Sequence, residues 1–146
     1  MILNLSIYLI VVAIVHALLE IQVEGKTGGW ARQLPTFRVN VFFRKLLGGK
    51  PLTGYHIFML LLFQLIFHGA FIFIPFTIKS ECILQGCFMW YFVIEDIAWF
   101  ILNPYYTLAR FKKHHIQWHK RWFMGLPYSY WFGGILGTIL ILLGVN

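Results

Sequence analysis

Four apolar runs, each long enough to cross a bilayer as a helix, constrain this chain more than any short motif in it. They cover residues 2–23, 55–76, 83–102 and 128–145. A hydrocarbon layer about 30 Å thick needs about 20 apolar residues at about 1.5 Å each. With 60% hydrophobic and only 12% charged residues, a soluble domain of 146 residues could not cover its own apolar surface. The expectation is therefore an all-α integral membrane protein, a single domain over residues 1–146 with four transmembrane helices. No Lys or Arg precedes the first run, whereas Lys26 and Arg32 follow it, the reverse of a cleaved leader, so a retained first helix is expected.

Basic charge sets the orientation. Six of the twelve Lys and Arg residues (Lys26, Arg32, Arg38, Arg44, Lys45 and Lys50) fall between the first two runs. Five more (Arg110, Lys112, Lys113, Lys120 and Arg121) fall between the last two, and only Lys79 lies in the middle connection. The excess of cations on the cytoplasmic side of membrane proteins then places both long connections there and both termini on the opposite side. In each long connection the cations alternate with large aromatics such as Trp30, Phe37 and Phe42, or Phe111, Trp118 and Trp122. That mixture predicts two cytoplasmic-side interfacial amphipathic segments. The first is expected as a helix over residues 36–47, between Pro35 and the pair Gly48-Gly49, and the second within 105–127. Gly25, Gly28 and Gly29 read as turn material, because no phosphate-loop sequence GxxxxGK[ST] surrounds them. A pI near 9.7 also fits nucleic-acid binding, but every cation lies in a connection, where contact with anionic headgroups accounts for it. No nucleic-acid partner is expected; membrane lipids are.

Against this background, Glu95 and Asp96 stand side by side within the third run. An acid at membrane depth costs about 2.5–3.5 kcal/mol on insertion scales, so such residues face a bundle interior and carry function. Counting down from Glu24 and from Asn103 at about 1.5 Å per residue puts His16 of the first run level with Glu95. His16, Glu20 and Glu24 recur every fourth residue, along one side of a helix. His56 begins the second run near the same interface, and His114, His115 and His119 lie in the last connection, where they can fold back as a lid. Glu81 and His68 fall outside this cluster. His68 reads as a hydrogen-bonded packing residue. Cys82 and Cys87, five apart in one helix, point away from each other and are expected as free thiols.

Carboxylates and imidazoles gathered from several helices suit zinc, iron or manganese. The metal-ligand candidates are His16, Glu20, Glu24, Glu95, Asp96 and His119, with Glu95 or Asp96 left as the catalytic acid or base. The spacing is His-x-x-x-Glu, not the Glu-x-x-His of di-iron bundles, and no HExxH is present. The leading expectation is a membrane-embedded, metal-dependent oxidoreductase or hydrolase acting on a lipid or another hydrophobic or amphiphilic small molecule. The alternatives are a proton- or ion-conducting subunit, with His68 extending the polar path, and an accessory subunit of a larger complex. For the last, and for a homo-oligomer, the small-residue face Gly133 and Gly137 offers a helix contact.

Overall fold

The computed structural model describes residues 2–42 and 50–146. The apolar runs form α1 (Ile2–Glu24), α2 (Gly54–His68), α3 (Ile78–Leu102) and α4 (Tyr128–Val145). A 3-10 turn over Gly69–Ile72 prolongs α2, and all four elements are long and apolar enough to cross a membrane. Their ends follow from local chemistry. Thr77 and Ser80 form a reciprocal capping box, each side-chain oxygen accepting the other's backbone N–H at 3.0 and 2.9 Å. That box starts α3 at Ile78, a full turn before the apolar run, because capping tolerates the polar residues Lys79, Ser80 and Glu81 in the first turn. Thr53 caps α2 by accepting the His56 N–H at 3.2 Å. Asn103-Pro104 ends α3 at Leu102, as the sequence leads one to expect.

α3 is the axis of the bundle, with α1 packed on one side and α4 on another. Ala13 and Ala17, both fully buried, bring α1 close to α3 around Tyr91, Ala98 and Trp99. Glycines do the same for α4. A methyl group on Gly86 would stand 2.6 Å from the Gly137 carbonyl oxygen, and one on Gly137 would stand 3.0 Å from that of Gly86. The Gly133 and Gly137 face is thus spent inside the chain, against α3. α2 is peripheral, meeting α3 only sparsely and leaving Phe58, Leu61, Leu62 and Leu65 exposed. Cys82 and Cys87 are both free.

The long connections depart from the expected amphipathic helices. In the first, β1 (Arg38–Val39) pairs antiparallel with β2 (Leu52–Thr53), with Arg38 opposite Thr53. The Arg38 guanidinium donates to the carbonyls of Ala31, Arg32 and Thr36, which ties the chain into a knot of turns where a helical stripe was expected. The rest of that expected helix, residues 43–49, lies outside the described residues. In the last connection, β3 (Trp122–Phe123) pairs with β4 (Leu126–Pro127) across Met124 and Gly125. Both turn residues have positive φ, 47° and 81°, the two-residue geometry that matches strand twist. Ahead of this hairpin the backbone is turns, and Ile116 is buried against Trp99 and Phe100 with Phe111, Trp118 and Trp122 around them. Burying these residues in the end of the bundle leaves no amphipathic helix over the described residues, while Lys112, Lys113 and Lys120 stay exposed.

Candidate functional site

The end of the bundle that carries the two long connections closes over a cavity of 340 Å³. Its wall includes Glu20, Glu24, Glu95, Asp96 and His119, five of the six ligand candidates, together with Lys50 and His56. His16 is not part of that wall. α1 and α3 run parallel, and the His16 ring stacks on Tyr91 with centroids 5.8 Å apart, between Phe63 and Phe92. One turn further along, the carboxyl of Glu20 comes within hydrogen-bonding reach of that of Glu95. Glu20, and not His16, thus stands level with Glu95, one turn from the expected register. α1 continues into a 3-10 turn at Gly25–Thr27, and Asn103 Nδ2 donates to the Gly25 carbonyl at 3.3 Å, which ties the ends of α1 and α3 together.

Each acid has its own setting. Glu20 Oε1 accepts from the Tyr55 hydroxyl at 3.1 Å. A Glu24 oxygen accepts the backbone N–H of Ala31. Ala31 and the residue before it, Trp30, have φ of 49° and 66°, a left-handed conformation that costs side-chain-bearing residues about 1–2 kcal/mol each. The turn is held by Glu24, by Trp30 Nε1 donating to the Pro51 carbonyl at 2.7 Å, and by stacking of Trp30 on His56 at 4.0 Å between centroids. Lys50 Nζ lies 3.8 Å over the indole of Trp30. His56 is fixed in turn by Thr53, whose Oγ1 is 2.6 Å from Nδ1. Backbone strain of this kind, held by several contacts at once, is typical of functional sites.

Across the cavity, His119 Nε2 lies 3.1 Å from Asp96 Oδ2, but off the direction of a hydrogen bond. Both ring nitrogens of His119, and Oε1 of Glu95, are buried without a hydrogen-bond partner. Trp122 positions this segment by donating from Nε1 to the His119 carbonyl at 2.6 Å. His119 thus folds inward with the last connection, whereas His114 and His115 lie exposed against each other. Burial, reinforced by the nearby Lys50 cation, holds the His119 imidazole below its ordinary range despite Asp96. Burial pushes the Lys50 amine down to about 8, even though Asp96, Glu24 and Glu20 pull the other way.

Among the described residues, no three His, Cys, Asp or Glu side chains are arranged to hold a metal ion. The donor types are nevertheless right for one, and the unsatisfied atoms of Glu95 and His119 are where further ligation or proton transfer can occur. Several residues of the site escaped the sequence reading. Lys50 is the one buried Lys or Arg among the described residues, yet in the sequence it is one of six cations in a row of surface-like charge. Tyr55 and Tyr130 lie near the starts of α2 and α4, and only the fold turns them toward the acids. Gly28 and Gly29 also do more than turn the chain. A methyl on Gly29 would stand 2.9 Å from the Trp118 indole, so the glycines let the last connection lie flat on the first.

Away from this mouth, Gln64 and Gln85 exchange two side-chain hydrogen bonds, at 3.0 and 3.2 Å, joining α2 to α3. Gln85 also donates to Glu81 at 2.8 Å, and His68 Nε2 lies 3.3 Å from the same Glu81 oxygen. Glu81 and His68 stay out of the main cluster, and His68 Nδ1 is 2.7 Å from the Gln64 carbonyl, consistent with a hydrogen-bonded packing residue. Compared with known protein families, with curated proteins and with solved structures, the chain matches none.

Proposed function

We propose that the chain is a membrane-embedded enzyme that carries out acid–base chemistry, assisted by a divalent metal, on a lipid or other amphiphilic molecule. The observation that carries this reading is one cavity wall in which Glu20, Glu95, Asp96 and His119 meet, with Glu95 Oε1 and both His119 nitrogens left unsatisfied. Groups that bury polar atoms at such cost are kept for a ligand or a reaction. Glu20, Glu95, Asp96 and His119 are the donors for zinc, iron or manganese, which when bound polarises an oxygen of substrate or water. Glu95 or Asp96, whichever is left off the metal, takes up or returns the proton, and Lys50 offsets part of the negative charge. Glu24 holds the Trp30–Ala31 turn, and His16 supports the site from among its aromatic neighbours.

In this reading the four helices span the bilayer, both long connections lie at its cytoplasmic face, and the termini lie opposite. Their exposed cations gather anionic lipid at the mouth. A conducting role is the competing reading, but the wall between Glu95 and Gln85 is formed by apolar Phe88, Met89, Phe92 and Val93. The ten-residue step corresponds to about 15 Å, far beyond one hydrogen bond, and the two polar side chains beside it, His16 and Tyr91, are packed with Phe63 and Phe92 and are not part of the cavity wall. The test uses proteoliposomes containing a polar lipid extract with added zinc, iron or manganese. Lipid mass changes that disappear in Glu95→Gln, in vesicles that hold a proton gradient, support an enzyme. Unchanged lipids together with a proton leak that Glu95→Gln abolishes overturn it in favour of conduction.

A further inference from the structure

The same cavity does not end at the acids. It runs on between α2 and α3, past Met59 and Leu60 on one side and Phe88, Met89 and Val93 on the other, to the Gln64–Gln85 pair. α2 and α4 make no substantial contact with each other among the described residues, so α3 is the back of a slot whose front lies between them. Eleven residues separate Gln85 from Asp96, or about 16 Å along the helix. An extended chain advances about 1.2 Å per bond, as a polypeptide does at about 3.5 Å for three, so the slot takes about 13 chain atoms. A volume of 340 Å³ is at the small end of ligand sites, enough for one such chain and too little for two.

We infer that the slot holds one hydrocarbon chain of an amphiphile, with its polar head among Glu20, Glu95 and Asp96 and its far end stopped by the Gln64–Gln85 bridge. The bridge is the length gauge. The two amides bond each other and Gln85 also donates to Glu81, so a longer chain must break that pairing to pass. The occupant is single-chained, and it enters sideways from the membrane rather than through the connection-covered mouth. Its head chemistry rests on the enzyme reading, but the slot and its gauge do not.

Terminal-diazirine alkylamines of graded length, photolysed on the purified full-length protein and mapped by peptide mass spectrometry, test the inference. The amine head is chosen to seat on the carboxylates. A chain of about 13 atoms should label residues beside Gln64 and Gln85, and one of about 8 should label beside Met89 and Val93. Met89→Trp, which plugs the slot, should cut labelling at the floor by about tenfold. Gln64→Leu combined with Gln85→Leu should let longer chains label beyond the floor, which a merely unfolded variant would not do. Labelling spread over the exposed α2 residues Leu61 and Leu65 regardless of chain length overturns the inference. Metal content is measured on the same samples. Bound metal with length-independent labelling removes the slot and leaves the enzyme reading, and length-ordered labelling without metal does the reverse.

Discussion

Gly86 offers the sharpest test of how α3 and α4 are joined, and hence of what fixes the wall that carries Glu95 and Asp96. Replacing it with alanine adds one methyl group, which would lie 2.6 Å from the Gly137 carbonyl oxygen, 2.7 Å from Ile141 Cγ1 and 3.0 Å from the Ile141 backbone nitrogen. Two of these three atoms are backbone, so no rotamer change relieves them and the helices must move apart. Alanine in place of glycine within a helix gains about 0.5–1 kcal/mol, whereas overpacking costs about 1–3 kcal/mol. The net expectation is a loss of about 1–2 kcal/mol, with the helix contact loosened along its length. Gly69, where an added methyl meets nothing within 4 Å, is the internal control. Gly69→Ala should be neutral or slightly stabilising. Reversible unfolding of both variants in mixed micelles reads the difference directly. Gly86→Ala as stable as Gly69→Ala would refute the close α3–α4 contact and with it the placement of Tyr130 beside the acids.

Lys50 gives the pH dependence its sign. Its folded-state value of about 8 lies below the ordinary 10.5, so between these values the unfolded chain binds more protons and stability rises with pH, by about 3 kcal/mol in all. Lys50→Met should remove that rise, and the difference between wild type and variant from pH 8 to 10.5 isolates it from other titrations; parallel curves would contradict the buried amine. Ala31→Gly should relieve a left-handed residue worth about 1–2 kcal/mol against about 0.5–1 kcal/mol of added chain entropy, so the unfolding midpoint should rise slightly. A clear fall would mean that the turn is not held as described. His68→Ala should leave ion flux through sealed proteoliposomes unchanged, since His68 is tied to Glu81 and Gln64 and separated from Glu95 by the apolar stretch; a change in flux would argue for the conducting role.

The helices were readable because twenty apolar residues in a row leave few alternatives, and Asn103-Pro104 and Tyr128 mark ends that the structure keeps. The acid cluster was readable because a carboxylate inside an apolar run is costly unless it faces the bundle interior. What remained hidden depended on contacts between distant segments. The one-turn shift that pairs Glu20 with Glu95 is set by how α1 packs on α3, with His16 stacked on Tyr91, and no spacing within α1 or α3 encodes it. Trp30 and Ala31 are poor choices for a left-handed turn, and only Glu24, Pro51, Lys50 and His56 closing round them make the conformation tenable. The last connection read as amphipathic because cations and aromatics alternate there, but its aromatics fill the end of the bundle one by one. Gly133 and Gly137 announced a close helix contact without naming the partner, which Gly86 supplies from within the same chain.

The central claim is that Glu20, Glu95, Asp96 and His119 form a site for a divalent metal and its chemistry. Elemental analysis of the purified full-length protein tests it most directly, run beside Glu95→Gln and Asp96→Asn under identical handling. Zinc, iron or manganese is expected in a constant ratio to wild-type protein, with a clear loss of it in both variants. Absence of any stoichiometric metal in wild-type protein, together with unchanged behaviour of Glu95→Gln, would contradict it.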